Sequence, residues 1–144
     1  MNNRLNSPHT RFVGSKGESL AAEYLTRVGY RLVMSNFKTP LGRNANGAEI
    51  TGEIDIIALD GDNLCFIEVK TRMQNDIASP AQAVTLRKQR QIIRTAKIYR
   101  QIFGVQQMPI RYDVVSVVLG HFDSPSIELM KGFFDESKFK KRSW

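Results

Sequence analysis

From Ser15 to Val28 the apolar residues Leu20, Ala21, Tyr24, Leu25 and Val28 recur at helical spacing, and Gly29 follows as a stop. That pattern predicts a first helix. Tyr30 to Phe37 reads as a strand. The next stretch, TPLGRNANGAEITG, is rich in Gly, Asn and Thr and predicts a long loop, of the kind that is often functional or mobile. Two β-rich runs follow, EIDIIAL and LCFIEVKT, separated by Asp60-Gly61-Asp62-Asn63. Those four residues favour a tight reversal, so the pair predicts a β-hairpin. Ser79-Pro80 supplies a cap and a first-turn proline for a long helix that runs to Phe103 and stops at Gly104. After Pro109, IRYDVVSVVL is apolar enough for a strand buried on both faces; SIELM adds an edge strand.

The order is helix, three strands, helix, two strands. A helix between strands allows a parallel crossover, so the expected fold is an α/β sandwich with a mixed central sheet flanked by helices. With 144 residues, 42% of them hydrophobic, one domain is expected, with a core over about residues 14–134 and a flexible basic tail over 135–144. No run approaches the ~20 apolar residues that span a bilayer, and the N-terminus has no signal-like stretch. The expected place is the cytoplasm, away from membranes. Cys65, the only cysteine, lies inside an apolar run and reads as a buried small hydrophobe.

Charge narrows the partners. A formal net charge of +7 and a pI of about 9.8 favour a polyanion, nucleic acid before an anionic membrane surface. From Ile77 to Tyr112 there is no acid, and on a helical projection Arg87, Arg90, Arg94 and Lys97 form one stripe, opposite much of the face carrying Ile92, Tyr99 and Phe103. Such a stripe can follow a phosphate backbone; a solvated helix face is the competing reading, but it usually carries acids as well, and their absence favours a polyanion. Lys88 projects toward the apolar side, either to reach the sheet or to run along the edge of the core.

The hairpin carries the candidate chemistry. A two- or four-residue turn centred on Gly61 and Asp62 sets Leu59 against Leu64, Asp55 against Glu68 and Glu53 against Lys70. Paired carboxylates ~4.5–5.5 Å apart at Cβ would repel unless a proton or a cation intervenes. A register slip of one residue would part them. All-oxygen ligands suit a hard ion, Mg²⁺ or Mn²⁺, with the Val69 carbonyl available as a third donor. Lys70 shares the face of Glu68 and could act on the attacking water or on transition-state charge. An ordinary Glu–Lys ion pair at a sheet end is the competing reading.

Asp55, a gap of twelve, then Glu68-Val69-Lys70 resembles the D-x(n)-E-x-K core of the PD-(D/E)XK, or restriction-endonuclease-like, superfamily. Moreover KGESLAAEYL, GEIDIIA, FIEVKTR and RYDVV occur in the order of the YraN-like bacterial family, which is similar to archaeal Holliday-junction resolvases. The resemblance covers most of Ser15 to Leu119. It implies that Asp55 and Glu68 bind the metal and that Lys70 assists catalysis. It also implies an acid from the first helix, for which Glu18, at the edge of the apolar arc beside Ala22, is the match; a helix-dipole role fits Glu18 equally. DNA is preferred to RNA on the same ground. Two departures stand out: Ile54 replaces the signature proline, and the Thr39–Thr51 loop is longer than in the family.

Around this core, Arg72 is a candidate for phosphate contact or for an ion pair, and Asp113 reads as a strand anchor. His9 and His121 have no partner at ligand spacing and receive no role. The leading expectation is therefore a metal-dependent nuclease, and the rival is a non-catalytic nucleic-acid-binding or adaptor protein with the same fold. Symmetric cutting of two strands would require two sites, and hence a homodimer.

Overall fold

The structure, a computed structural model, describes residues 12–74, 84–120 and 124–139. A first helix α1 (Phe12–Arg27) leads into β1 (Arg31–Arg43), β2 (Glu49–Asp60) and β3 (Asn63–Met73); α2 (Leu86–Phe103), β4 (Ile110–Leu119) and β5 (Ser126–Phe134) follow. The strands form one sheet in the order β1-β2-β3-β4-β5. Only β3 and β4 run parallel, which is the pair that α2 connects. This is the mixed sheet flanked by helices that the element order implies.

Each helix seals one face. Ala21 and Leu25 of α1 pack with Ile56, Ala58, Cys65, Ile67, Val115 and Val117. Ile92, Ala96 and Tyr99 of α2 pack on the opposite side with Ile57, Phe66, Tyr112 and Val114. Two glycines set how closely the helices approach. A Cβ at Gly17 would lie 1.8 Å from Thr71 Oγ1, and one at Gly52 would lie 2.0 Å from Thr95 Oγ1. Only glycine lets α1 lie on β3, and β2 on α2, at these points.

Three expectations need correction. The stretch Thr39–Gly52 is not a loop: it forms the end of β1 and the start of β2, which pair from Arg31↔Leu59 to Arg43↔Glu49. Its tip closes through Asn44 Oδ1, which accepts from the N–H groups of Asn46 and Ala48. Next, α2 begins at Leu86, capped by Thr85 Oγ1 accepting from Lys88 N–H, whereas Ser79 and Pro80 lie outside the described residues. Finally, the first part of the tail is held. Glu136–Phe139 is a 3-10 helix, and the Phe139 ring lies 5.3 Å from the Arg90 guanidinium. His9 and His121 fall outside the described residues.

Toward the β2–β3 turn, the strands are bound by one polar network. Arg111 Nη2 donates to Asp60 Oδ2 at 2.7 Å and to Tyr30 Oη, and its Nε donates to Asp113 Oδ1 at 2.8 Å. Tyr30 Oη and Gly132 N–H also donate to Asp113, which is fully buried. Asp113 is thus the strand anchor expected from the sequence.

Candidate metal and nucleic-acid site

The β2–β3 turn is the two-residue reversal that the residue types favour, with Gly61 at φ 59°. Its ladder runs from Asp60↔Asn63 through Leu59↔Leu64 to Ile56↔Ile67 and stops there. Asp55 and Glu68 are next in line, but the strands part instead of pairing. Asp55 spans the gap with its side chain, Oδ2 accepting the Val69 N–H at 2.8 Å.

The pleat breaks at the same level. Ile54 and Ile57 both pack on the α2 side, with only Ile56 recorded on the α1 side between them. In the adjoining strand Met34 and Phe37 pack on the α2 side, while Ser35 and Asn36 line a cavity beside α1. Asn36 has a φ of 55°, the only positive value among the described non-glycine residues. Strict alternation would send every second side chain to one face; the irregularity brings Asp55 within reach of both helices' sides.

Glu68 is buried, and two lysines from different elements reach the same carboxylate oxygen. Oε2 lies 3.4 Å from Lys70 Nζ and 3.8 Å from Lys88 Nζ of α2. Burial, and then the charge of Asp55, push the Glu68 carboxyl from 4.5 up to about 7, against the pull of the lysines. Burial also raises Asp55, opposed chiefly by the Val69 N–H. Two carboxyls so placed resist being ionised together, and a cation between them would relieve both.

Asp55, Glu68, Val69, Lys70 and Lys88 line one groove of about 320 Å³ with Glu18, Glu53 and Thr71. Glu18 therefore reaches the groove from α1, where the Gly17–Thr71 approach sets the helix down. Glu53 does not oppose Lys70. It pairs across β1 with Lys38, at 3.4 Å, because the β2–β3 ladder has already ended. Among the described residues no three acid, histidine or cysteine side chains gather into a metal cage. The fit is to an ion that takes two carboxylates and keeps several waters, as Mg²⁺ does.

On α2, Arg87, Arg90, Arg94 and Lys97 are all exposed, opposite buried Gln89, Ile92, Ala96 and Tyr99. Phe103, expected on the apolar face, is 48% exposed at the helix end. Two arginines of the stripe have structural duties: Arg94 Nη2 donates to the Leu41 carbonyl, and Arg90 sits over Phe139. Lys88 alone of the α2 cations joins the groove, while Arg72, two residues beyond Lys70, is half-buried and does not line it. Sequence reasoning missed Ser35 and Asn36. The one available signal was an Asn inside a strand run, a residue type that tolerates positive φ.

A model of the uncharacterised protein family UPF0102 matches residues 17–117. The chain belongs to UPF0102, the YraN family. A UPF0102 protein of Chlorobaculum parvum is 44% identical over 81% of this chain and 83% of its own. One from Rhodococcus jostii is 39% identical over 88% and 98%, and one from Geobacter sulfurreducens 38% identical over 90% and 93%. UPF0102 lies within the restriction-endonuclease-like superfamily. The solved structure titled "Crystal structure of SSO0001" aligns with 92% of this chain and 56% of its own, at 17% identity and a TM-score of 0.42.

Proposed function

We propose that this UPF0102 protein is a Mg²⁺- or Mn²⁺-dependent nuclease that hydrolyses phosphodiester bonds, in DNA before RNA. The observation that carries the reading is the buried Asp55–Glu68 pair, set where β2 and β3 part, with Lys70 and Lys88 on the same groove. Asp55 and Glu68 would hold the ion, with the Val69 carbonyl as a further donor and Glu18, on the same groove, near enough to take a water of the ion rather than the ion itself. When bound, such an ion acidifies water and offsets charge on a phosphate under attack. Lys70 orients or deprotonates the attacking water, and Lys88 neutralises a phosphate oxygen from the α2 side. Arg87, Arg90, Arg94 and Lys97 guide the backbone of the nucleic acid along α2, and Arg72 is kept as a peripheral contact. The +7 charge supports this polyanion. No helix among the described residues is long and apolar enough to cross a membrane, and we assign the protein to the cytoplasm. Symmetric double-strand cutting would call for a homodimer.

The test is cleavage of labelled single-stranded, duplex and branched DNA, and of RNA, in Mg²⁺ or Mn²⁺, by wild type beside Glu68→Ala. Cutting by wild type alone supports the reading; equal cutting by both assigns it to a contaminant or another site.

One observation favours a second reading, a binding or adaptor protein that retains the fold: Glu68 Oε2 is ion-paired with both Lys70 and Lys88. That protein would bind nucleic acid with no divalent ion, survive Glu68→Ala, and weaken on charge reversal at Arg87 and Arg90.

A further inference from the structure

The groove does not end at the carboxylate pair. A second cavity, of about 220 Å³, shares Glu18 and Asp55 with it. Ser19 and Ala22 of α1, Ser35 and Asn36 of β1, and Ile56 of β2 form the rest of its lining. The two halves differ in chemistry. The first carries Lys70 and Lys88, whereas no cation among the described residues lines the second. Among the described residues, a phosphate there would meet two carboxylates and nothing positive. What the second half offers is hydroxyls, one carboxamide and an apolar floor of Ala22 and Ile56.

Those groups match a nucleobase, apolar on its faces and hydrogen-bonding at its edge. The volume, about 220 Å³, lies below the ~300 Å³ at which pockets for drug-sized ligands begin and suits a single base. Asn36 supplies both a donor and an acceptor. It lines the cavity with its backbone at φ 55°, a conformation that asparagine adopts more readily than most non-glycine residues and that collects at ligand sites. Asp55 belongs to both linings, so the second cavity opens directly beside the carboxylate groove.

We propose that this second cavity receives the base of an unpaired nucleotide whose phosphate lies in the neighbouring groove, beside Lys70, Lys88 and the ion that Asp55 and Glu68 would hold, with Asn36 reading the base's edge. The inference rests on the nucleic-acid reading above and gives it a substrate class: strands with an unpaired or extruded nucleotide rather than uninterrupted duplex. In a perfect duplex the base is stacked and paired, and entering the cavity would cost its unstacking.

The experiment is fluorescence anisotropy in Ca²⁺, with labelled duplexes that differ at one internal nucleotide: paired, unpaired with a base, or unpaired and abasic. Wild type is expected to bind the unpaired base about tenfold tighter than the abasic site. Asn36→Gly keeps the backbone conformation and removes the carboxamide; it should lose that preference while holding the same affinity for the abasic duplex. No preference in wild type, or a preference that survives Asn36→Gly, overturns the proposal. Base preference without any cleavage in Mg²⁺ or Mn²⁺ would sink the nuclease reading alone. Cleavage without base preference would remove the subsite alone, and failure to bind any nucleic acid would remove both.

Discussion

The backbone N–H of Val69 donates to the carboxylate of Asp55 at 2.8 Å, just beyond the last rung of the β2–β3 ladder. A side chain has taken the place of a backbone partner. One acid thereby both closes a strand junction and faces a second acid, Glu68.

Metal binding should depend on both acids. Calorimetric titration of the wild type with Mn²⁺ is expected to show a binding heat that Asp55→Ala and Glu68→Gln each abolish. Because the ion displaces a proton from a carboxyl held near 7, affinity should rise as pH climbs to about 7 and then level off. Unaltered binding in Asp55→Ala would exclude the assigned ligands.

Without divalent ions, stability should fall with rising pH. Glu68 is raised from 4.5 to about 7, so between those values the folded chain binds more protons than the unfolded one. The penalty is absent below 4.5 and complete once pH passes 7, reaching about 3 kcal/mol at most. Asp55 shifts in the same direction. Urea melts of wild type and Glu68→Gln should thus diverge from about pH 4.5 to about pH 8, the Gln variant becoming relatively more stable. Parallel curves would contradict the assignment.

Gly17→Ala should destabilise the fold by ~1–3 kcal/mol, since its Cβ would lie 1.8 Å from Thr71 Oγ1. Thr71→Ala in the same chain should recover part of the loss. Thermal melts of the two single variants and the double variant measure the coupling; additive effects would show that the two residues do not meet.

Salt titrations of DNA binding separate the stripe's members. Each phosphate contact adds about −0.9 to the slope of log K against log salt. Arg87→Ala and Lys97→Ala should each make the slope shallower by about that amount and leave stability unchanged. Arg94→Ala should lower stability too, because it releases the Leu41 carbonyl. Equal slopes for all variants would take α2 out of the interface.

The β2–β3 hairpin was legible because Gly61 and Asp62 suit only a narrow set of turns, and the turn fixes the register. The β1–β2 extension was not. β1 is an edge strand, exposed along most of its length, so burial imposes no alternation, and its Gly and Asn residues resemble a loop. Lys88 projected toward the core from sequence, and it reaches Glu68. Asn36 stayed hidden because its importance comes from a break in two neighbouring strands, which a single-strand pattern does not encode.

The Arg111–Asp113–Tyr30 network gives the sheet a handle. With Asp60, Lys131 and Gly132 drawn into the same knot, the strands are fastened where the turn lies and parted where Asp55 and Glu68 sit. β2 and β3 are in this sense the prongs of a tuning fork. Under the metal reading proposed above, the gap between the prongs at Asp55 and Glu68 would set the size of ion that the two carboxylates grip.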